Sequence, residues 1–233
     1  MTNSPFALGN EKSAAWLYAG LAFCMLIDLG HHVDLTELEH WQPFGYSSST
    51  THYPGSPAYS NSTFAGLCRI SLIMSEILNS IYMERSSDQT PRELSTMLEV
   101  LQLRLDNWRR ELPSHLQLDP GRQSQGWSIP RPTAMFDVLI ILLHRPFVAD
   151  GHLYSTSRSI SVDSFMKCAS AASTICSLVR AYHQAFSTRR APYLISYATY
   201  VAATIHSRIS ARRGNNSSAH ANLATCLDVF EQN

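Results

Sequence analysis

Apolar residues recur at steps of three and four along most of the chain, the spacing that lines one face of a helix. From Phe64 to about Tyr82, the positions Leu67, Ile70, Met74, Ile77 and Ile81 form one such stripe. Thr90, Pro91 and Glu93 then spell a capping box with proline in the first helical turn. Leu94, Met97, Leu98, Leu101, Leu105 and Trp108 follow on one face until Pro113 stops the helix. Pro132 opens an apolar helix through Met135, Leu139, Leu142 and Leu143, which closes at His144 or Arg145, before Pro146. A cap at Ser161 or Asp163 starts the next helix. Its Ala169, Ala171, Ala172 and Cys176 give small faces for close packing, and Leu178, Tyr182 and Phe186 continue the inner face. Pro192 heads a helix to about Ile209, Gly214 to Ser218 make a break, and a last helix begins at Ala219. The apolar Cys226, Leu227, Val229 and Phe230 require a covering surface, which this reading assigns to chain continuing past Asn233.

Ahead of these lies the most apolar segment. Asn10 caps a helix from about Glu11 to Leu29 that Gly30 ends, and its apolar residues cover every face, the pattern of a helix enclosed at the centre of a fold. The run from Ala14 to Ile27 is shorter than the ~20 residues of a bilayer span and is closed by Asp28, so it reads as a buried helix. Residues 41–62 and 113–131, rich in Ser, Pro, Gly and other polar residues, read as two long surface loops. No alternating strand pattern competes with the helical one. The expected fold is all-α, a bundle of about six to seven antiparallel helices with two long polar loops, in a single domain over residues 1–233.

Composition narrows the function. Hydrophobic residues make up 45% and charged residues 15%, so much of each element turns inward. Lys plus Arg and Asp plus Glu are 18 each, leaving no positive surplus for a phosphate backbone or an anionic membrane surface. The densest basic groups, Arg189/Arg190 and Arg208/Arg212/Arg213, sit near predicted helix ends and read as solvated charges that complement the helix dipole. Cys24, Cys68, Cys168, Cys176 and Cys226 are scattered through apolar stretches, never at metal-pair spacing, and read as inert core thiols in a reducing compartment.

No phosphate loop, nucleophile elbow, paired-aspartate motif or His-Glu-x-x-His appears, and no catalytic, metal or DNA-binding residue is assigned in the chain. His31 and His32 beside Asp34 form the densest polar knot, and a helix end accounts for them, as it does for His144. Met74, Met97, Met135, Tyr197 and Tyr200 read as ordinary core stripes, with a ligand pocket in an all-helical sensor as the alternative. Cys168 and Cys176 offer a redox reading that nothing adjacent in sequence supports.

Three stretches are more specific. The first is Ser13-Ala14-Ala15-Trp16-Leu17-Tyr18-Ala19-Gly20 through Asp28-Leu29-Gly30-His31-His32. The second is Leu105-Asp106-Asn107-Trp108-Arg109-Arg110-Glu111-Leu112-Pro113 leading to Leu142-Leu143-His144-Arg145-Pro146-Phe147. The third is the helix from Cys168 to Phe186, with Pro192-Tyr193 and Ile205-His206 after it. In order and together, these resemble the middle homology region of fungal zinc-cluster transcription factors, in particular the group similar to nitrate-assimilation and xylanolytic regulators. The resemblance marks Trp16, Gly20, Asp28, Leu29, Gly30, His31, Trp108, Leu112, Pro113, His144, Arg145, Pro146 and Phe147 as structural motif positions. It implies a nuclear, non-enzymatic regulator of transcription. In that family, DNA is bound through an N-terminal six-cysteine, two-zinc cluster, commonly in dimers, while the helical region modulates activity or meets co-regulators, with no membrane involved.

The chain departs from the family pattern twice. No cysteine cluster precedes Trp16, so zinc and DNA binding fall outside these residues. Val33-Asp34 also passes directly into Leu35-Thr36-Glu37, where the family carries an Arg-rich helix and a Gly-Arg-Pro turn. The expectation is a domain incomplete at both ends, lacking a segment near 34–35, and therefore marginally stable and prone to aggregate. The alternative function is a stand-alone helical small-molecule sensor, which an apolar cavity with converging polar groups near Tyr197, Met135 or His206 would favour.

Overall fold

The computed structural model describes residues 40–41, 56–57, 59–82, 89–117, 131–149, 151–153, 157–185, 193–213 and 217–232. The helix expected over Glu11–Leu29, the His31/His32/Asp34 knot, the junction at 34–35, Cys24, Phe186, Arg189/Arg190 and Pro192 lie outside them, as does most of the first loop.

The fold is all-α. Six α-helices occur among the described residues: α1 Ser60–Ile81, α2 Pro91–Glu111, α3 Arg131–His144, α4 Arg158–Ala185, α5 Tyr193–Arg213 and α6 Ser218–Gln232. Two short 3-10 turns, Ser114–Leu116 and Arg145–Phe147, follow α2 and α3. Two two-residue strands, β1 His40–Trp41 and β2 Ser56–Pro57, correct the expectation of no strand. They pair antiparallel, His40 with Pro57 and Trp41 with Ser56, across the segment read as loop. So short a pairing needs no alternating hydrophobic face, which is why the sequence pattern is silent about it.

Local signals set most helix ends. Thr90 and Glu93 make the full reciprocal capping box at the head of α2, and the Thr90 amide and hydroxyl hold the Glu93 carboxyl below its ordinary pKa. Helix α1 begins at Ser60, four residues earlier than its stripe predicts. Tyr59 caps it in the left-handed region at φ 45° and stacks on His115 at 4.3 Å between ring centroids. Helix α4 begins at Arg158, and the Ser157 hydroxyl accepts from the Ile160 amide at 3.4 Å, so neither Ser161 nor Asp163 is the cap. Asp163 instead pairs with Lys167, one turn on, at 3.2 Å. Helix α5 runs four residues past Ile209 to Arg213.

The core is one contiguous apolar cluster drawn from all six helices. Helix α3 packs against α1, α2, α4 and α5, and buries Pro132 to Ala134, Phe136 to Ile141 and Leu143. Among the described residues it holds the enclosed central place that the sequence reading gave to Glu11–Leu29. Helix α1 is long and apolar enough to cross a membrane by length and composition, yet its Ile70, Ile73, Ile77 and Ile81 are part of this cluster. Helix α6 packs on α5 and α4, burying Cys226 and Val229 there, so these two find their cover inside the chain, while Leu227 and Phe230 remain exposed. Met74, Met97, Met135 and Tyr197 pack against the core, whereas Tyr200 is 59% exposed and is not a core residue.

Candidate functional site

The segment after α3 is built around a buried histidine. His144 is 1% exposed; its Nδ1 lies 3.1 Å from Ser164 Oγ on α4 and its Nε2 2.7 Å from Gln102 Oε1 on α2. One side chain thus joins three helices. Burial pushes its pKa down to about 4, with Lys167 adding to the effect and Asp163 opposing it, so the ring is neutral. Pro146 cannot continue the helix, and Arg145–Phe147 tighten into the 3-10 turn with Pro146 and Phe147 buried. The Gly151 amide donates to the Val148 carbonyl at 2.7 Å and the Leu153 amide to the Pro146 carbonyl at 2.9 Å. A side chain at Gly151 would place Cβ 2.0 Å from the Pro146 oxygen, so only glycine fits this turn.

Folded in this way, the turn buries its neighbours and leaves Arg145 half-buried on the wall of a cavity of about 210 Å³. Two other helices complete the wall with residues at steps of three and four. Helix α4 contributes Ser161, Phe165 and Cys168, and α5 contributes Ile205, Arg208 and Arg212. Three guanidinium side chains therefore stand around an apolar floor, and no carboxylate is among the described lining residues. Asp163, close by in sequence, is engaged with Lys167. Burial pushes the Cys168 thiol up to about 12 against the pull of Arg145 and Arg208, and its Sγ lies 3.9 Å from the Ile141 carbonyl, so the sulfur stays protonated.

The remaining described motif residues serve the core. Trp108 Nε1 donates to the Gly66 carbonyl at 3.1 Å, and its ring stacks on Phe136 with centroids 6.0 Å apart. Arg109 lies over the other aromatic partner, its Cζ 5.1 Å from the Phe136 centroid. Leu112 is buried beside Gly66, and Pro113 leads into the first 3-10 turn. Trp16, Gly20, Asp28, Leu29, Gly30 and His31 lie outside the described residues. The cavity is not at Tyr197, Met135 or His206. His206 is buried with its pKa lowered by burial, which the adjacent Ala172 backbone opposes without reaching hydrogen-bonding geometry.

Two arrangements escaped the sequence reading. Arg208, read as a solvated helix-end charge, is half-buried and meets Arg145 at the cavity, while Arg212 at the same wall is exposed; their spacing from Ile205 was the available signal. Cys176, considered beside Cys168, in fact faces Cys226, with the sulfurs 3.4 Å apart between α4 and α6. The hydrogen bond between them favours the thiolate on Cys226 and the thiol on Cys176. Among the described residues no group of three His, Cys, Asp or Glu side chains is placed to hold a metal ion. Compared with family models, curated proteins and solved structures, the chain matches none of them.

Proposed function

We propose that the chain is the helical regulatory region of a zinc-cluster transcription factor, acting in the nucleus on a DNA-binding segment outside these residues. What supports the reading is that the two described stretches of its second motif form one joint. Trp108 from the first stacks on Phe136 of the helix that ends in the second, and His144 of the second bonds back to Gln102, one turn before the first. A joint of this kind couples α2, α3 and α4 into a unit whose packing can bias a neighbouring segment between masked and exposed states. Zinc and DNA belong to that segment, and a second copy or a co-regulator protein is the expected partner.

The test is a tethering assay. The full chain is fused to a heterologous DNA-binding domain at a reporter promoter carrying a separate activator. Reporter output should change by several-fold against the DNA-binding domain alone, and Trp108→Ala should abolish the change. Unaltered output from a stably expressed fusion would overturn the reading. The arginine-walled cavity favours a second function for the same module, the sensing of a small molecule.

A further inference from the structure

We infer that the cavity between the Arg145–Phe147 turn, α4 and α5 is a binding site for a small organic anion with an apolar body. The inference goes beyond the transcriptional reading and does not depend on it. Its first support is charge: Arg145 and Arg208 come from two separate segments yet face one cavity. Arg145 and Arg208, both half-buried, form no ion pair with any described carboxylate. Bringing two like charges to one largely apolar wall is unfavourable, and the same field draws an anion in. The first turns of α4, which bring Ser161 to the wall, add the positive end of a helix dipole.

The second support is the floor. Val148, Phe165 and Ile205 present hydrocarbon where inorganic phosphate or sulfate has nothing to match it. Guanidinium groups recognise planar carboxylates through paired N–H donors, so a carboxylate head on a hydrocarbon body fits both parts. Size is the third constraint: about 210 Å³ is below the ~300–1,000 Å³ of sites for drug-sized ligands. The ligand is therefore a metabolite-sized organic acid and not a nucleotide or a lipid. The Cys168 thiol at the wall stays protonated and is a poor nucleophile.

The experiment is calorimetric titration of the full chain with three probes: benzoate, its neutral isostere benzamide, and inorganic phosphate. Benzoate should bind saturably, at least about tenfold tighter than either of the others, as a charge-assisted pair in a partly buried site implies. Arg145→Gln and Arg208→Gln should each weaken benzoate about tenfold while Arg92→Gln on α2 leaves it unchanged. Unaltered thermal melts of these variants separate lost recognition from lost folding. Benzoate binding no tighter than benzamide, equal binding of phosphate, indifference to both cavity arginines, or no saturable benzoate binding at millimolar concentration would each overturn the inference. Because the readout is binding by the chain alone, failure of the tethering assay leaves this result standing, and the converse also holds.

Discussion

His144 Nε2 sits 2.7 Å from Gln102 Oε1, with Ser164 Oγ 3.1 Å from the opposite ring nitrogen. In the neutral ring, Nε2–H donates to the amide oxygen and Nδ1 accepts from the hydroxyl, so both ring nitrogens are satisfied. A second proton would reverse the serine hydrogen bond, with Nδ1–H donating to the hydroxyl oxygen, and would place a charge in a buried setting.

That arrangement sets a pH dependence. The unfolded chain protonates His144 near 6.5 and the folded one near 4, so its stabilising share is complete above 6.5 and is lost as pH falls toward 4. Asp137 on α3 runs the other way: burial raises its carboxyl from 3.8 to about 7, against the pull of Arg109. Its cost appears as pH rises from 3.8 toward 7. Each effect is on the order of 3–4 kcal/mol, and the two oppose each other across nearly one window. Urea midpoints of the wild type should therefore change little between pH 4 and 6.5. Asp137→Asn should gain stability with rising pH there, and His144→Gln should lose it. Parallel pH profiles for the two variants would contradict the assignment.

Two glycines should respond oppositely to alanine. At Gly66, inside α1, an added Cβ would lie 3.4 Å from Leu112 Cδ1 and 3.8 Å from Pro132, an ordinary contact. Gly66→Ala should raise stability by roughly 0.5–1 kcal/mol through helix propensity. At Gly151 the Pro146 carbonyl stands in the way, and Gly151→Ala should cost about 2 kcal/mol or more. Because that turn aims Arg145, the same change should also weaken benzoate binding. Equal melting temperatures for the two variants would show that the turn yields more easily than its contacts imply.

The cysteine pair makes a covalent prediction. Closing a disulfide from 3.4 Å needs the sulfurs to approach by about 1.4 Å. Diamide, accepting the two thiol hydrogens, should link Cys176 to Cys226 in the folded chain and leave Cys68 and Cys168 as free thiols. Peptide mapping reads the outcome directly; a link to Cys168, or none before unfolding, would contradict the geometry.

The legible parts of this fold were those written in neighbouring residues. The Thr90–Glu93 box, the stop at Pro113 and the end of α3 before Pro146 each follow from steric or hydrogen-bonding demands a few positions wide. The N-cap of α4 was misread because Ser157, Ser161 and Asp163 can all cap. The Ser157 hydroxyl takes the Ile160 amide, and Asp163 had a competing partner in Lys167.

What converges from different helices was less visible. The stripe Ile205, Arg208, Arg212 can be read as one face, but its meeting with Arg145 depends on how α5 lies against the turn after α3. The Cys176–Cys226 contact likewise spans 50 positions. Helix periodicity states which face turns inward and is silent about what it meets. Tyr200 shows the reverse error: an aromatic residue at core spacing on α5 that points outward.

The seam between α4 and α5 has a mechanical consequence. These helices pack together, and Ala171, Ala172, Ala198 and Ala202 are buried on them. A methyl group has no rotamers to exchange, so at these four positions no side chain can re-pack to cushion a small displacement. A displacement of α5 against α4 is therefore expected to move the helix as a body, with no local re-packing at these positions to absorb it.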